Sequence, residues 1–172
     1  MPRTARFTAL AAGAAALLAS APLQARIVGS WEVARSKQGS CMMIATYGNG
    51  TVDGISLGLV WSPAENRLGF LAASKNWNDL LSREGDPTAL QLSFDGDVDY
   101  SQWLHEAARF ENLGGIETIA GSWGAENSER LAAAVTGSGA VRLQIGETDL
   151  GSFDISGSAE AYRELLRCGE RG

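Results

Sequence analysis

Cys41 and Cys168 are the only cysteines in the 172 residues, and they lie near opposite ends of the chain. In an oxidising compartment such a pair is most simply a disulfide. That bond would close a loop of about 128 residues, which chain-entropy reasoning credits with roughly 4–5 kcal/mol of stability. No Cys-x-x-Cys spacing is present, so the pattern favours a structural disulfide over a redox-active thiol. The two distant segments are therefore expected to meet in the fold.

The first 25 residues have the layout of a secretory signal peptide. Two arginines are followed by an apolar run over residues 10–19, and Ala25 precedes the expected cleavage site. The run is too short to cross a bilayer core of about 30 Å as a helix, and no later segment approaches the ~20 apolar residues of a membrane span. We therefore expect residues 1–25 to be a signal peptide and residues 26–172 to form one secreted, β-rich domain, with an uncleaved N-terminal anchor as the alternative.

The composition is that of a globular protein, with 45% hydrophobic and 20% charged residues. The formal net charge is -6, and loss of the leader with its two arginines leaves 12 basic against 20 acidic residues, a net charge of -8. Nucleic acid is not expected as a partner, because phosphate groups attract clusters of Lys and Arg. One histidine and two cysteines are too few for a four-ligand zinc site. No motif indicates a cofactor.

Alternation of apolar and small residues predicts a fold made mainly of strands. Residues 55–59 alternate with a period of two, and residues 90–94 repeat the pattern. Strands are expected over residues 27–33, 41–47, 52–61, 66–73, 89–94, 116–123, 141–145 and 151–155.

Helical spacing of apolar residues is confined to the second half of the chain. One helix is expected after an N-cap at Ser128, and a last helix after Ser156 or Ser158. Residues 100–112 fit either a helix or a twisted edge strand. The sequence thus predicts an α+β fold, mainly antiparallel β in a sandwich-like sheet, with two or three helices including a C-terminal one.

Three segments of the chain resemble secreted bacterial proteins related to the invasion-associated locus B family. Gly29-Ser30-Trp31-Glu32-Val33 precedes a cysteine, a strand runs into Asp95-Gly96, and Leu150-Gly151-Ser152-Phe153-Asp154-Ile155-Ser156-Gly157-Ser158-Ala159 leads through a helix to Leu165-Leu166-Arg167-Cys168. The resemblance covers most of the secreted domain in outline and is specific at its ends. It implies a β-rich periplasmic or surface protein without a known catalytic site, and it brings over no functional residue.

Gly54-Ile55-Ser56-Leu57-Gly58 matches the G-x-S-x-G pattern of the hydrolase nucleophile elbow. That elbow places the serine at a sharp turn between a strand and a helix. Here the apolar alternation continues into Leu59, which indicates an uninterrupted strand and a chance match. A small serine hydrolase using Ser56, with His105 as its base, is the enzymatic alternative.

Acidic residues follow the strand that ends at Phe94, at spacings that partly match an EF-hand calcium loop. Tyr100 stands where that loop needs glycine, and a strand precedes the segment where the motif has a helix. An exposed acidic turn is therefore the favoured interpretation. The alternative is a calcium site formed by Asp95, Asp97, Asp99 and Glu106.

Trp77, between two strand-like runs, is the tryptophan most expected to be exposed, where it could contact a sugar or a protein.

No nucleophile with its base, metal cage or cofactor loop stands out from the sequence. It therefore predicts a non-catalytic binding or interaction protein of the periplasm or cell exterior, whose partner is an envelope or extracellular protein or a glycan. The acidic charge suggests one alternative, a periplasmic inhibitor of a basic hydrolase such as a lysozyme.

Overall fold

The computed structural model describes residues 25–36, 39–48, 54–74, 87–88, 90–95, 108–112, 117–123, 125–145 and 148–170. The elements, in chain order, are β1 (Arg26–Val28), β2 (Trp31–Arg35), β3 (Cys41–Tyr47), β4 (Ile55–Ser62), β5 (Arg67–Ser74), β6 (Pro87–Thr88), β7 (Leu90–Phe94), β8 (Ala108–Asn112), β9 (Glu117–Trp123), α1 (Ala125–Gly137), β10 (Ala140–Ile145), β11 (Thr148–Asp154) and α2 (Ser158–Glu170). A 3-10 turn, Pro63–Glu65, joins β4 to β5.

Two antiparallel sheets form the framework. The larger has the strand order β1-β2-β3-β4-β5-β9-β8-β6, and the smaller has the order β11-β10-β7. Strands β1 to β5 pair in chain order, as antiparallel strands joined by short connections do. The α+β class, with mainly antiparallel strands and a C-terminal helix, is confirmed.

The main core lies between the two sheets and the two helices. Met43, Leu59 and Phe70 stand side by side on β3, β4 and β5 and are at most 4% exposed. Leu92 and Leu143 pair across the smaller sheet and belong to the same buried cluster. The period-two pattern therefore marks the core face, because alternate residues of a strand point to the same side of the sheet.

The opposite face of β3, β4 and β5 is also apolar. Met42, Val60 and Leu71 form a second buried cluster there, and Ile44 packs against it. These strands bury both faces, so their sequences are almost continuously apolar, which is typical of central strands.

Buried hydroxyl groups attach both helices to the rest of the fold. Ser128 of α1 accepts a hydrogen bond from the Leu68 backbone N–H at 3.1 Å. Ser158, the first residue of α2, donates one to the Val135 carbonyl at 2.6 Å. The indole N–H of Trp31 donates to the Ser156 carbonyl at 3.3 Å. Within the described ranges, neither helix is long and apolar enough to cross a membrane.

Three local expectations require correction. Residues 27–33 are not one strand, because a turn at Gly29 and Ser30 divides them into the antiparallel pair β1 and β2. Residues 108–112 are a strand, so the helical alternative is wrong there, and residues 100–107 lie outside the described residues. This strand pairs with both β9 and β6, contacts that helical spacing cannot reveal. The N-cap expected at Ser128 is also wrong, because α1 begins at Ala125 and the Ser128 hydroxyl bonds to β5 instead. Of the expected signal peptide, the structure describes Ala25 alone.

Candidate functional site

The disulfide joins the start of β3 to the last turn of α2. Cys41 and Cys168 are bonded, with 6.0 Å between their Cα atoms and 127 residues of sequence separation. Cys41 is fully buried, and Cys168 packs against the main core. The disulfide expected from the sequence is therefore present, and it fixes the end of α2 to the sheet.

A cleft of about 270 Å³ lies beside this disulfide. It is formed by the β2–β3 connection, the β4–β5 turn and the end of α2. Two lining residues, Ser40 and Gly169, are chain neighbours of the two cysteines. The lining also includes Arg35, Gly39, Ser62 and Pro63. The disulfide therefore holds opposite walls of the cleft together.

Backbone turns shape two of these walls. Ser36 N–H donates to the Ser40 carbonyl at 2.8 Å, and Gly39 between them has a φ of 89°. That φ is in the region that glycine adopts without a steric penalty. On the third wall, a Cβ added at Gly169 would lie 3.0 Å from the Trp61 ring and 3.1 Å from Pro63. Gly39 therefore permits the turn between Ser36 and Ser40, and Gly169 permits the close approach of α2 to the β4–β5 turn.

Ser62 provides a buried hydroxyl to the cleft. The residue is 9% exposed, and it precedes the 3-10 turn without capping it through its side chain. Its hydroxyl has no hydrogen-bond partner in the part of the chain that the structure describes. Buried hydroxyl groups in folded proteins nearly always have a partner, from the protein, from water or from a ligand.

Arg35 supplies the only charge among the described residues that line the cleft. It is the last residue of β2, opposite Cys41, and it is half-buried. Its guanidinium has no ion pair or hydrogen bond with any described residue. The cleft therefore places a cationic donor group beside a buried hydroxyl.

A second cavity, of about 110 Å³, lies between β1 and α2. The Glu164 carboxylate, with a side chain 6% exposed, pairs there with Arg26 at 2.9 Å and with Arg167 at 3.2 Å. Both of its oxygens are thus engaged. This cluster ties the first strand to the last helix.

Ser56 lies inside β4, with its Oγ 3.0 Å from the Oγ1 of Thr46 on β3. It is not at a junction between a strand and a helix, where a nucleophile elbow would place it. His105, the proposed base, lies outside the described residues. The structure does not bring a base to Ser56 among the residues that it describes.

Asp95, the first residue of the acidic segment, has a structural contact. Its Oδ1 accepts hydrogen bonds from the backbone N–H groups of Gly139 and Ala140, both at 2.9 Å. It thereby orders the entry to β10.

The other calcium candidates, Asp97, Asp99 and Glu106, and the interaction candidate Trp77 lie outside the described residues. The described ranges hold no group of three or more His, Cys, Asp or Glu side chains placed to bind a metal.

The sequence did not single out the residues of the cleft. Ser40 and Gly169 could have been found as neighbours of the cysteines, and Ser62 as part of a Ser-Pro turn. Nothing in the sequence around Arg35 indicates that it belongs to a site, because its place in the cleft depends on strand pairing.

The fold has a solved counterpart. The crystal structure of invasion associated protein B from Bartonella henselae matches this chain with a TM-score of 0.58, over 86% of this chain and 99% of that one, at 10% sequence identity. No protein-family model and no curated protein matches the sequence. At this identity the similarity shows a shared fold, in agreement with the resemblance noted at the ends of the sequence.

Proposed function

We propose that the protein is a non-catalytic binding protein that is exported, loses residues 1–25 and acts in the periplasm or outside the cell. The observation that carries the proposal is the cleft beside the disulfide, where Arg35 and Ser62 have no partner among the residues that the structure describes. Leaving such groups without partners costs stability, which a ligand offsets by supplying acceptors. The partner is an envelope or extracellular protein or a glycan.

An oxidising location is supported by two independent features. The leader-like segment has the layout of an export signal. A disulfide in a small β-rich domain is typical of secreted and periplasmic proteins. The fold shared with invasion associated protein B is compatible with such a location.

Export is tested by expressing the full chain in its own organism and determining the intact mass of the protein in each cell fraction. We expect a chain that begins at Arg26 and contains no free thiol, recovered from the periplasm or the medium. A full-length chain with two free thiols in the cytoplasm would contradict the proposal.

Binding is tested by affinity capture from an envelope extract with the exported, oxidised protein as bait. Arg35→Gln removes the one charge among the described residues that line the cleft. Arg142→Gln is the matched control, because Arg142 pairs with Asp149 on the smaller sheet. We expect a partner that the wild type and Arg142→Gln retain and that Arg35→Gln loses. Equal retention by all three baits would show that the cleft is not the binding site.

A further inference from the structure

We propose that the cleft beside the disulfide binds a single carboxylate group of its ligand, held by the Arg35 guanidinium and the Ser40 and Ser62 hydroxyls. The inference rests on the proposed binding function and adds the chemistry of the recognised group. Its starting point is the convergence of three donor-bearing side chains from separate parts of the sheet on one cleft.

The donors match the chemistry of a carboxylate. A guanidinium presents planar N–H donors that fit carboxylate oxygens, and hydroxyl groups donate to the remaining lone pairs. Arg35 and Ser62 have no partner among the described residues, so neither loses a protein contact when the ligand enters. The volume of about 270 Å³ leaves room for a small organic acid or for the terminal group of a larger ligand.

The surroundings restrict the charge of the ligand. Exposed Glu65 and Glu170 follow the lining residues Ala64 and Gly169 in the chain. The carbonyl end of α2 also lies here and adds partial negative charge. Because Arg35 is the only charged residue among the described residues that line the cleft, it neutralises one carboxylate and leaves the further charges of a polyanion without a partner there. A singly charged acid is therefore the favoured ligand.

The experiment is a titration of the oxidised protein with sodium acetate, followed by NMR at the Arg35 side-chain N–H and the backbone amides of Ser40 and Gly169. We expect chemical-shift changes that saturate with a Kd on the order of 1–10 mM, because a ligand with so few atoms makes few contacts. Acetamide has nearly the same shape without the charge, and we expect it to bind at least about 10-fold more weakly. Equal binding of acetamide, or tighter binding of inorganic phosphate, would overturn the carboxylate assignment.

Three variants connect the titration to the site. We expect Arg35→Gln to weaken acetate binding at least about 10-fold and Ser62→Ala to weaken it roughly 3-fold. Arg142→Gln should leave it unchanged. If Arg35 only stabilises the end of α2, Arg35→Gln lowers the Tm and leaves acetate binding intact, which would overturn the proposal. The absence of saturable shifts in the wild type at 100-fold the expected Kd would mean that the cleft holds water alone.

The two proposals fail separately. Arg35-dependent acetate binding by a protein that is not exported would contradict the proposed location and leave the carboxylate site standing. Export with Arg35-dependent capture, but without acetate binding, would overturn the carboxylate site and leave the binding function standing.

Discussion

Two cavities border α2, and they differ in whether their polar groups have partners. In the cavity next to β1, Glu164 is buried and both of its carboxylate oxygens pair with arginines. In the cleft beside the disulfide, the Ser62 hydroxyl and the Arg35 guanidinium have no described partner. A satisfied polar cluster stabilises the fold, whereas an unsatisfied one is available to a ligand. The comparison therefore gives the first cavity a structural role, and it is the reason why we propose the second as the binding site.

The largest expected effect comes from Cys168→Ser, which removes the bond that holds the walls of the cleft. We expect a loss of about 2–5 kcal/mol in the free energy of unfolding, because the unfolded chain is no longer constrained. Acetate binding should fall as well, since Gly169 is no longer fixed near Ser40. Urea unfolding under oxidising conditions measures the first effect, with reduced wild type as the control. A variant as stable as the oxidised wild type would contradict the role of the disulfide.

Glu164→Gln tests the paired cavity. We expect a loss of about 1–3 kcal/mol, because two charge-assisted hydrogen bonds are removed while the partner arginines can still be hydrated. Glu160→Gln is the matched control, since Glu160 lines the same cavity but is exposed. Thermal and urea unfolding compare the two variants. We expect acetate binding to be unaffected in both variants. Equal stability of Glu164→Gln and Glu160→Gln would show that the buried ion pairs do not contribute to the free energy of unfolding.

Two serine variants compare a hydroxyl that has a hydrogen-bond partner with one that has no described partner. Ser158→Ala should cost about 1–2 kcal/mol, because the buried Val135 carbonyl loses its donor. Ser62→Ala should leave stability unchanged or raise it by up to about 1–3 kcal/mol, because it removes a buried hydroxyl that has no described partner. Urea unfolding of both variants measures the difference. A larger loss for Ser62→Ala than for Ser158→Ala would reverse our assignment of paired and unpaired groups.

The last expected effect is a pH dependence of stability, and it arises at the far end of β3. The Tyr47 hydroxyl donates to the Asp154 carbonyl at 2.6 Å, and burial, with a smaller contribution from the Asp154 charge, raises its pKa to about 12. The folded state thus binds this proton more tightly than the unfolded state does. The resulting stabilisation is present below pH 10 and is lost as the pH rises from about 10 towards 12. Absorbance at 295 nm follows the ionisation, and Tyr47→Phe should remove the step near 12. Ionisation of all tyrosines near pH 10 would contradict the burial of this hydroxyl.

The strands of the core were predictable because their signal is local. Leu57 and Leu59 alternate with small residues, so the large side chains of this segment fall on one face of the strand, which lies in the main core. Residues 108–112 carry helical spacing and yet form β8, because pairing with β9 on one side and β6 on the other outweighs local propensity. The hydrogen bond of the Ser128 hydroxyl could not be predicted from local sequence either, since its partner Leu68 is 60 residues away.

Residue types and short spacings are enough to show that the chain is strand-rich and that Cys41 and Cys168 are the available pair for a disulfide. Tertiary packing, in contrast, brings Arg35, Ser40, Ser62 and Gly169 to one cleft and Arg26 to Glu164. The physical reason is that a binding cleft consists of contacts between segments far apart in the chain, and the packing of the sheet and the last helix sets those contacts.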